Sequence, residues 1–448
     1  MSVLTSATTD AITNNLNSLW LLVAAAFVLL MTPGVAFFYG GMVRAKSVIN
    51  MMMMSFGAIA LVAVLWVIYG YSMSFSSGDN WVIPHVLANP FADFLLHNEI
   101  HFKGGTELGL QSLDVHGLAF AGFQATFAII TVALISGAIA DRAKFGAWMI
   151  FAGVWVTLVY FPVASWVFNF TVGGSTSGGW GHHGYSDGGW SVFGLGVNDF
   201  AGGTAVHINA GAAGLALALV LGKRVGFAKG MAKPHNVPLT LLGAALLWFG
   251  WFGFNAGSEA GVDGIAALAW INTLAAPAAA TLGWLVVERI KDGKPTSIGA
   301  ASGAVAGLVA ITPACNILTP FWAIILGLLV GAVCAIAIDL KFKLGFDDSL
   351  DVVGIHLVGG LIGTLYIGIF GMTQVDGKYT SLLYGGSLQQ LGVQAIAAFG
   401  VGIFSFGMAW IIGTIIQKTI GFRINNEDEV AGVDTIVHGE EGYALETV

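Results

Sequence analysis

The sequence predicts an all-α polytopic membrane protein with eleven transmembrane helices. They form an inverted repeat of five and five followed by a last long helix, with the N-terminus outside and the C-terminus inside (N-out/C-in). Three observations carry this reading. The 448 residues are 56% hydrophobic and only 9% charged, whereas a soluble domain carries about 25% charged residues. Apolar runs of spanning length recur eleven times, and continuous runs of this kind are helices because barrel strands alternate. The basic residues are concentrated in alternate connections.

In chain order the spans read near 17–39, 48–75, 116–139, 147–168, 199–221, 238–257, 264–287, 297–316, 319–338, 351–371 and 388–417. Of the 17 Lys and Arg, only Lys103 and Lys378 fall on one side; the other fifteen, from Arg44 to Arg423, fall on the opposite side. Such a bias marks the cytoplasmic face. The chain then divides into an extracellular tail (1–16), a transmembrane domain (17–420) and a cytoplasmic tail (421–448). No basic residue precedes the first apolar run, so the start lacks the charged region of a signal peptide.

Several function classes lose support at this stage. The net charge of −8 sits in loops and tail, and nothing suggests nucleic-acid binding. Cys315 and Cys334, the two cysteines, fall on one apolar segment and the connection before it, about 19 residues apart and too far to bridge. The His182–His183 pair in a Gly- and Trp-rich loop has no third ligand at recognisable spacing, so no metal or other cofactor is expected. HExxH is absent, the single GxSxG match (GYSDG, Gly184 to Gly188) falls in the Gly-rich loop, and the chain does not read as an enzyme.

Two stretches organise the rest: DFAGGTAVH (Asp199 to His207) and DSLDVVGIH (Asp348 to His356). As continuous helices, each would drop its His roughly 12 Å below its Asp, inside a hydrocarbon core about 30 Å thick. The orientation count sends them in from opposite faces, so both His approach the midplane, as expected for an inverted repeat with its site between the halves. Titratable rings at that depth mark a functional site, and two neutral imidazoles can bond each other as donor and acceptor. Asp199 and Asp348 read as helix caps, with an added electrostatic role for Asp199 at the outer mouth.

Aromatics join them. Phe123 and Phe127 lie one turn apart in the third span, and Trp251 and Phe254 lie three apart in the sixth. Gly250, Gly253 and Gly257 leave the sixth span bare, which suits packing around a narrow path. Aromatic faces and the Ser258 hydroxyl suit a small cation losing its water. Gly299, Gly303 and Gly307, and Gly359 and Gly363, repeat every four residues and permit close helix approach.

Together GFQATFAIIT, DFAGGTAVHINAGAAG, GKRVGFAKG, KPHNVP, WFGFNAGS, GAASGAVAGLVAITPAC and DVVGIHLVGGLIGTL resemble the ammonium transporter family (Amt/Mep/Rh), in its bacterial Amt form. The likeness runs from TPGVAFFYGGMVRAKS (Thr32 to Ser47) to the tail. It implies an eleven-helix homotrimer in the cytoplasmic membrane, in contact with lipid, with one pore per subunit for ammonium or ammonia and methylammonium as analogue. By position, His207 and His356 resemble the pore histidines, Phe127 and Phe254 the stacked gate, and Trp251 a pore-lining tryptophan. Phe123, Phe127, Phe168 and Ser258 resemble the recruitment site, with Asp199 and Asp348 in support. One departure stands out: YFPVASWVF (Tyr160 to Phe168) has Ser165 where many members have His, and Phe168 where they have Trp, with Trp166 two residues earlier. The tail pattern AGVD followed by HGEEGYA resembles the family's regulatory tail, which implies a PII-type partner at the inner face. Two alternatives are weighed: a neutral small-solute or gas channel leaves the Asp, Ser and paired His unexplained, and an ammonium sensor should carry a signalling domain where only about 30 residues follow the last span.

Overall fold

A computed structural model describes residues 6–75, 81–83, 86–100, 115–168, 197–227, 233–372 and 380–443. His182, His183, Lys103 and Lys378 lie outside the described residues. Among the described residues, ten helices are long and apolar enough to cross a membrane: α1 (Ala11–Met42), α2 (Ala45–Phe75), α3 (Val115–Ile139), α4 (Phe145–Val167), α5 (Gly203–Leu221), α6 (Val237–Gly257), α7 (Gly264–Lys291), α9 (Pro320–Leu344), α10 (Val353–Phe370) and α11 (Gln389–Thr419). The shorter α8 (Ser297–Ile311) completes the bundle.

Local chemistry sets the ends. Side chains of Asn236, Asp263, Thr296 and Thr319 accept the first free N–H groups of α6, α7, α8 and α9, which would otherwise lack partners. α8 rises only about 22 Å and ends five residues before the expected 316. Pro313 explains this, because a proline disfavours helical geometry just before it. Turns then carry the chain through Leu318, with Ala314 N–H on the Ile311 carbonyl and Leu318 N–H on the Ala314 carbonyl.

The glycine rows let helix backbones meet. A Cβ on Gly303 would stand 2.8 Å from Trp284 Cβ, and one on Gly307 2.6 Å from Pro277 Cα, so α8 lies against α7. A Cβ on Gly359 would stand 3.2 Å from Val309 Cγ1, which seats α10 on α8. The bare face of α6 packs mainly on α1: Gly253 faces Phe27 and Ala24, Gly250 faces Met31, and Gly257 faces Ala24 and the Phe123 ring. Trp251 and Phe254 point the other way, inward.

The two ends of the bundle differ. At one end, here the tail face, α12 (Asn426–Ala431) and α13 (Val433–His438) are bound across the helix connections. Asp434 accepts from Ile49 N and Asn50 N (3.0 and 2.8 Å), and His438 Nε2 meets Asn50 Oδ1 (3.0 Å). Glu429 accepts from Val225 N and pairs with Arg423 (2.8 Å). Tyr443 OH meets His235 Nε2 at 2.7 Å. Beneath the tail, Arg224 bridges Asp141 and Asp347, and the buried Arg142 bonds Ser349 and the Asp347 carbonyl. Around the bundle, Leu22, Leu282 and Ile403 are exposed, an apolar belt suited to lipid.

Candidate functional site

α5 and α10 both begin after a break, and the two breaks match. The third residue after each Asp has left-handed backbone: Gly202 at φ +114° and Asp351 at φ +63°. A π-helical turn follows in each, Gly203–Ile208 and Val353–Leu357, and carries the histidine. The eight-residue continuous helix expected between Asp and His is therefore corrected. The helix starts four or five residues after the Asp, whose carboxylate turns back onto the free N–H groups. Asp199 accepts from Gly202, Gly203, Thr204 and Ala205 (2.5–3.1 Å). Asp348 accepts from Val352 and Val353 (3.1 and 2.7 Å). Left unmet and buried, each such donor would cost about 1–3 kcal/mol.

Four residues beyond each His lies a glycine, and there the half-helices cross. A Cβ on Gly211 would stand 2.5 Å from Leu357 N, and one on Gly360 3.0 Å from the Gly203 carbonyl. The crossing brings His207 and His356 together. Their Nδ1 atoms are 3.3 Å apart and both rings are buried. A bond at that distance needs one proton between the two nitrogens, so one Nδ1 donates and the other accepts. Among the described residues His207 Nε2 has no hydrogen-bond partner.

A column of rings continues from His207 toward the end opposite the tail. His207 lies 5.4 Å from Trp251 and 6.1 Å from Phe254, centroid to centroid, at 24° and 29°. Phe254 stacks on Phe127 at 4.1 Å and 19°. Phe123 follows, 4.8 Å from Phe127, and Phe168 stands edge-on to Phe127 at 6.1 Å. Ser258 donates to the Phe254 carbonyl at 2.8 Å. The predicted residues thus form one continuous set. Trp166 does not join it: its Nε1 donates to the Val86 carbonyl (2.9 Å) and its ring faces Phe404 of α11. Phe168 alone occupies that position, and the Oγ of Ser165 is buried with no partner among the described residues.

Beside the rings runs a slender cavity of about 10 Å³, bounded by Met31, Val35, Val206, His207, Trp251, Phe254 and His356 among others. That is roughly the room of one water-sized sphere. A small neutral molecule fits such a lumen; a hydrated ion does not.

Sequence reasoning missed three supports. Thr312 accepts from Trp251 Nε1 at 2.7 Å and donates to the Leu308 carbonyl, fixing the indole beside His207. Lys341, almost fully buried, pairs with Asp351 Oδ1 (2.5 Å) and donates to the Asp348 carbonyl (3.0 Å). Its signal in the sequence is the ten-residue step from Lys341 to Asp351, which has no helical periodicity. Glu259, buried in the turn after Ser258, lies against Asp263, and burial followed by that neighbour pushes its carboxyl up to about 9. Burial likewise raises Asp348 to about 6, against the pull of Lys341. No group of three or more His, Cys, Asp or Glu among the described residues could hold a metal.

The Ammonium Transporter Family model matches residues 19–443. An ammonium transporter of Mycobacterium tuberculosis is 50% identical over 95% of this chain and 89% of its own length. One from Bacillus subtilis is 43% identical over 95% and 98%. Among solved structures, the Mep2 protein of Candida albicans superposes with a TM-score of 0.76 at 31% identity, covering 92% of this chain and 87% of that one. A protein described as a sensor Amt protein superposes at 0.81 with 27% identity, covering 96% and 99%. The chain belongs to the ammonium transporter family.

Proposed function

We propose that this protein carries ammonium across the cell membrane through a pore that begins at the Phe168–Phe127 end and passes the histidine pair. The observation that carries the reading is the unbroken sequence of aromatic faces, from Phe123 to Trp251, ending on two imidazoles 3.3 Å apart. Ring faces attract a cation that is losing water. Among the described residues the lumen beyond has no carboxylate on its wall, and a low-dielectric wall disfavours the charged form of an amine. Ammonium is held outside the Phe127–Phe254 stack and gives up its proton, and ammonia passes the apolar stretch. The paired imidazoles relay the proton, each ring accepting on one nitrogen while donating from the other. Asp199, with its charge held by four N–H groups, supports the cation electrostatically from the mouth.

The tail face is the cytoplasmic one in this reading, since the basic connections gather there. Residues 1–16 are then extracellular, 17–420 form the transmembrane domain, and 421–448 form a regulatory tail. The docking of Asp434 and Tyr443 on the helix connections supports that role. A homotrimer and a PII-type partner at this face belong to the same reading.

The test is the current evoked by an ammonium jump in proteoliposomes on a solid-supported membrane, with methylammonium uptake alongside. His207→Ala and His356→Ala are each expected to lower the current at least tenfold with the oligomer intact. Wild-type currents and wild-type discrimination against potassium in both variants would sink the relay.

A further inference from the structure

The turn that follows α6 carries a carboxyl that the relay does not use. Glu259 directly follows Ser258 in the chain and is only 3% exposed. The turn is tight. Ser258 N donates to the Asn255 carbonyl (3.2 Å) and Ala260 N to the Gly257 carbonyl (2.9 Å), and Ala260 has left-handed backbone at φ +54°. A Cβ on Gly257 would stand 2.9 Å from the Phe123 ring, so the turn is seated on the aromatics where the cation is held. Glu259 lies against Asp263, and among the described residues its Oε2 has no hydrogen-bond partner.

The groups around Glu259 come from four directions. Asp263 precedes α7, and its Oδ1 accepts from Ile265 N and Ala266 N (2.9 Å each). Cys315, in the turn after α8, lies within electrostatic reach of both Glu259 and Asp199. That turn is tied to the Asp199 segment, because Phe200 N and Asn198 Nδ2 both donate to the Pro313 carbonyl (3.3 and 3.2 Å). From α1, the neutral Asn17 accepts from Val262 N (3.1 Å), and Ser18 beside it is bonded to His116 (3.3 Å). No Lys or Arg among the described residues pairs with Glu259 or Asp263. Two N–H groups hold the charge on Asp263, so the proton shared by the two carboxyls resides on Glu259, which keeps it up to about 9.

We propose that Glu259 is a positioning residue that sets the affinity of the recruitment site for its cation. Ionised, it adds a second negative charge to that of Asp199; protonated, it leaves Asp199 to act alone. It lies outside the cavity wall and acts through its field. A carboxylate on the order of 10 Å from a cation changes affinity several-fold at the effective dielectric near a protein surface. The cation in turn favours the ionised carboxyl, so binding and loss of the Glu259 proton are coupled, and affinity rises with pH. This inference deepens the transport reading above and rests on it.

The experiment measures methylammonium uptake by the full-length protein in proteoliposomes, from external pH 7 to 9.5 with the inner pH fixed. Methylammonium is a stronger base than ammonia and stays cationic across this range. Wild type is expected to show a KM at least threefold lower at pH 9.5 than at pH 7. Glu259→Gln can still donate to Asp263 but cannot ionise. Its KM should stay at the wild-type pH 7 value, with kcat within twofold of wild type at each pH. Glu259→Asp keeps an ionisable group and should restore the fall in KM. A Glu259 that only packs the turn would lower kcat and melting temperature on substitution and leave the pH dependence of KM in place. A Glu259→Gln KM that falls in parallel with wild type would therefore overturn the inference, as would a wild-type KM that is flat with pH. Absence of uptake by wild type would sink the transport reading itself, and the inference with it.

Discussion

The two half-helices that carry the histidines reach the same backbone path by different chemistry. On the side away from the tail, the outer side in the proposed orientation, the left-handed position is Gly202, which takes φ +114° without a side-chain penalty, and Asp199 collects four N–H groups. On the inner side that position is Asp351, a non-glycine residue held at φ +63°, and Asp348 collects only two. The inner break is instead fastened by Lys341, which binds the Asp351 carboxylate and the Asp348 carbonyl together. Among the described residues, the outer acid thus meets backbone N–H groups alone, whereas the inner acids face a full positive charge. In the proposed mechanism, an acid with no cationic partner among the described residues supports the cation at the entry end, and a paired one closes the fold at the other.

The largest expected effect comes from removing the two Asp side chains. Asp199→Ala orphans four buried donors and Asp348→Ala two, at about 1–3 kcal/mol each. Asp199→Ala should therefore lower the melting temperature by roughly twice as much, and should raise the methylammonium KM in any protein that survives. Equal losses in thermal unfolding would mean that the four outer hydrogen bonds carry no more weight than the two inner ones.

Next comes the lysine. Lys341→Met leaves Asp351 buried without its partner and should cost about 3–5 kcal/mol. Asp351→Gly added to it gives the inner break the glycine solution of the outer one, and should recover most of that loss. If the double variant is no more stable than Lys341→Met in chemical denaturation, backbone strain at Asp351 does not explain the need for the lysine.

This pair of segments also shows what the sequence made legible. Long apolar runs located the eleven helices to within about six residues at either end, because lipid permits few alternatives to a helix. The matched Asp-to-His spacing found the two histidines for the same reason, since a titratable ring at that depth is rare. Ring spacing picked out Phe123 with Phe127 and Trp251 with Phe254, and the family resemblance paired Phe127 with Phe254. The breaks themselves stayed hidden. DFAGG and DSLDV look unlike each other, although they fold alike, because one uses glycine and the other a distant lysine. The glycine face of α6 signalled close packing but not its main neighbour, α1, since small residues do not specify which helix packs on them. Thr312 was invisible because its role depends on a tryptophan 61 positions away.

The smallest effect distinguishes the two ends by pH. Glu259, at the outer turn, lies against Asp263, whose Oδ1 caps α7 through Ile265 N and Ala266 N at 2.9 Å each. Two adjoining carboxyls with one buried cannot both ionise cheaply, and Glu259 holds its proton up to about 9. In the unfolded chain it would release that proton near 4.3. Between these values the folded state binds the extra proton, so stability falls as pH rises through the window and levels off above it. Asp348 contributes in the same direction only up to about 6. The interval from pH 6 to 9 therefore belongs to the outer acid, and the interval below it to both. Glu259→Gln mimics the protonated side chain and should flatten the upper interval alone. The variant should melt at a higher temperature than wild type at pH 8, by a smaller margin at pH 6, and at the same temperature near pH 4. Groups that titrate identically in both proteins cancel in that difference. Parallel melting profiles for Glu259→Gln and wild type from pH 6 to 9 would show that the outer carboxyl is already ionised, and that the outer turn is not held by a shared proton.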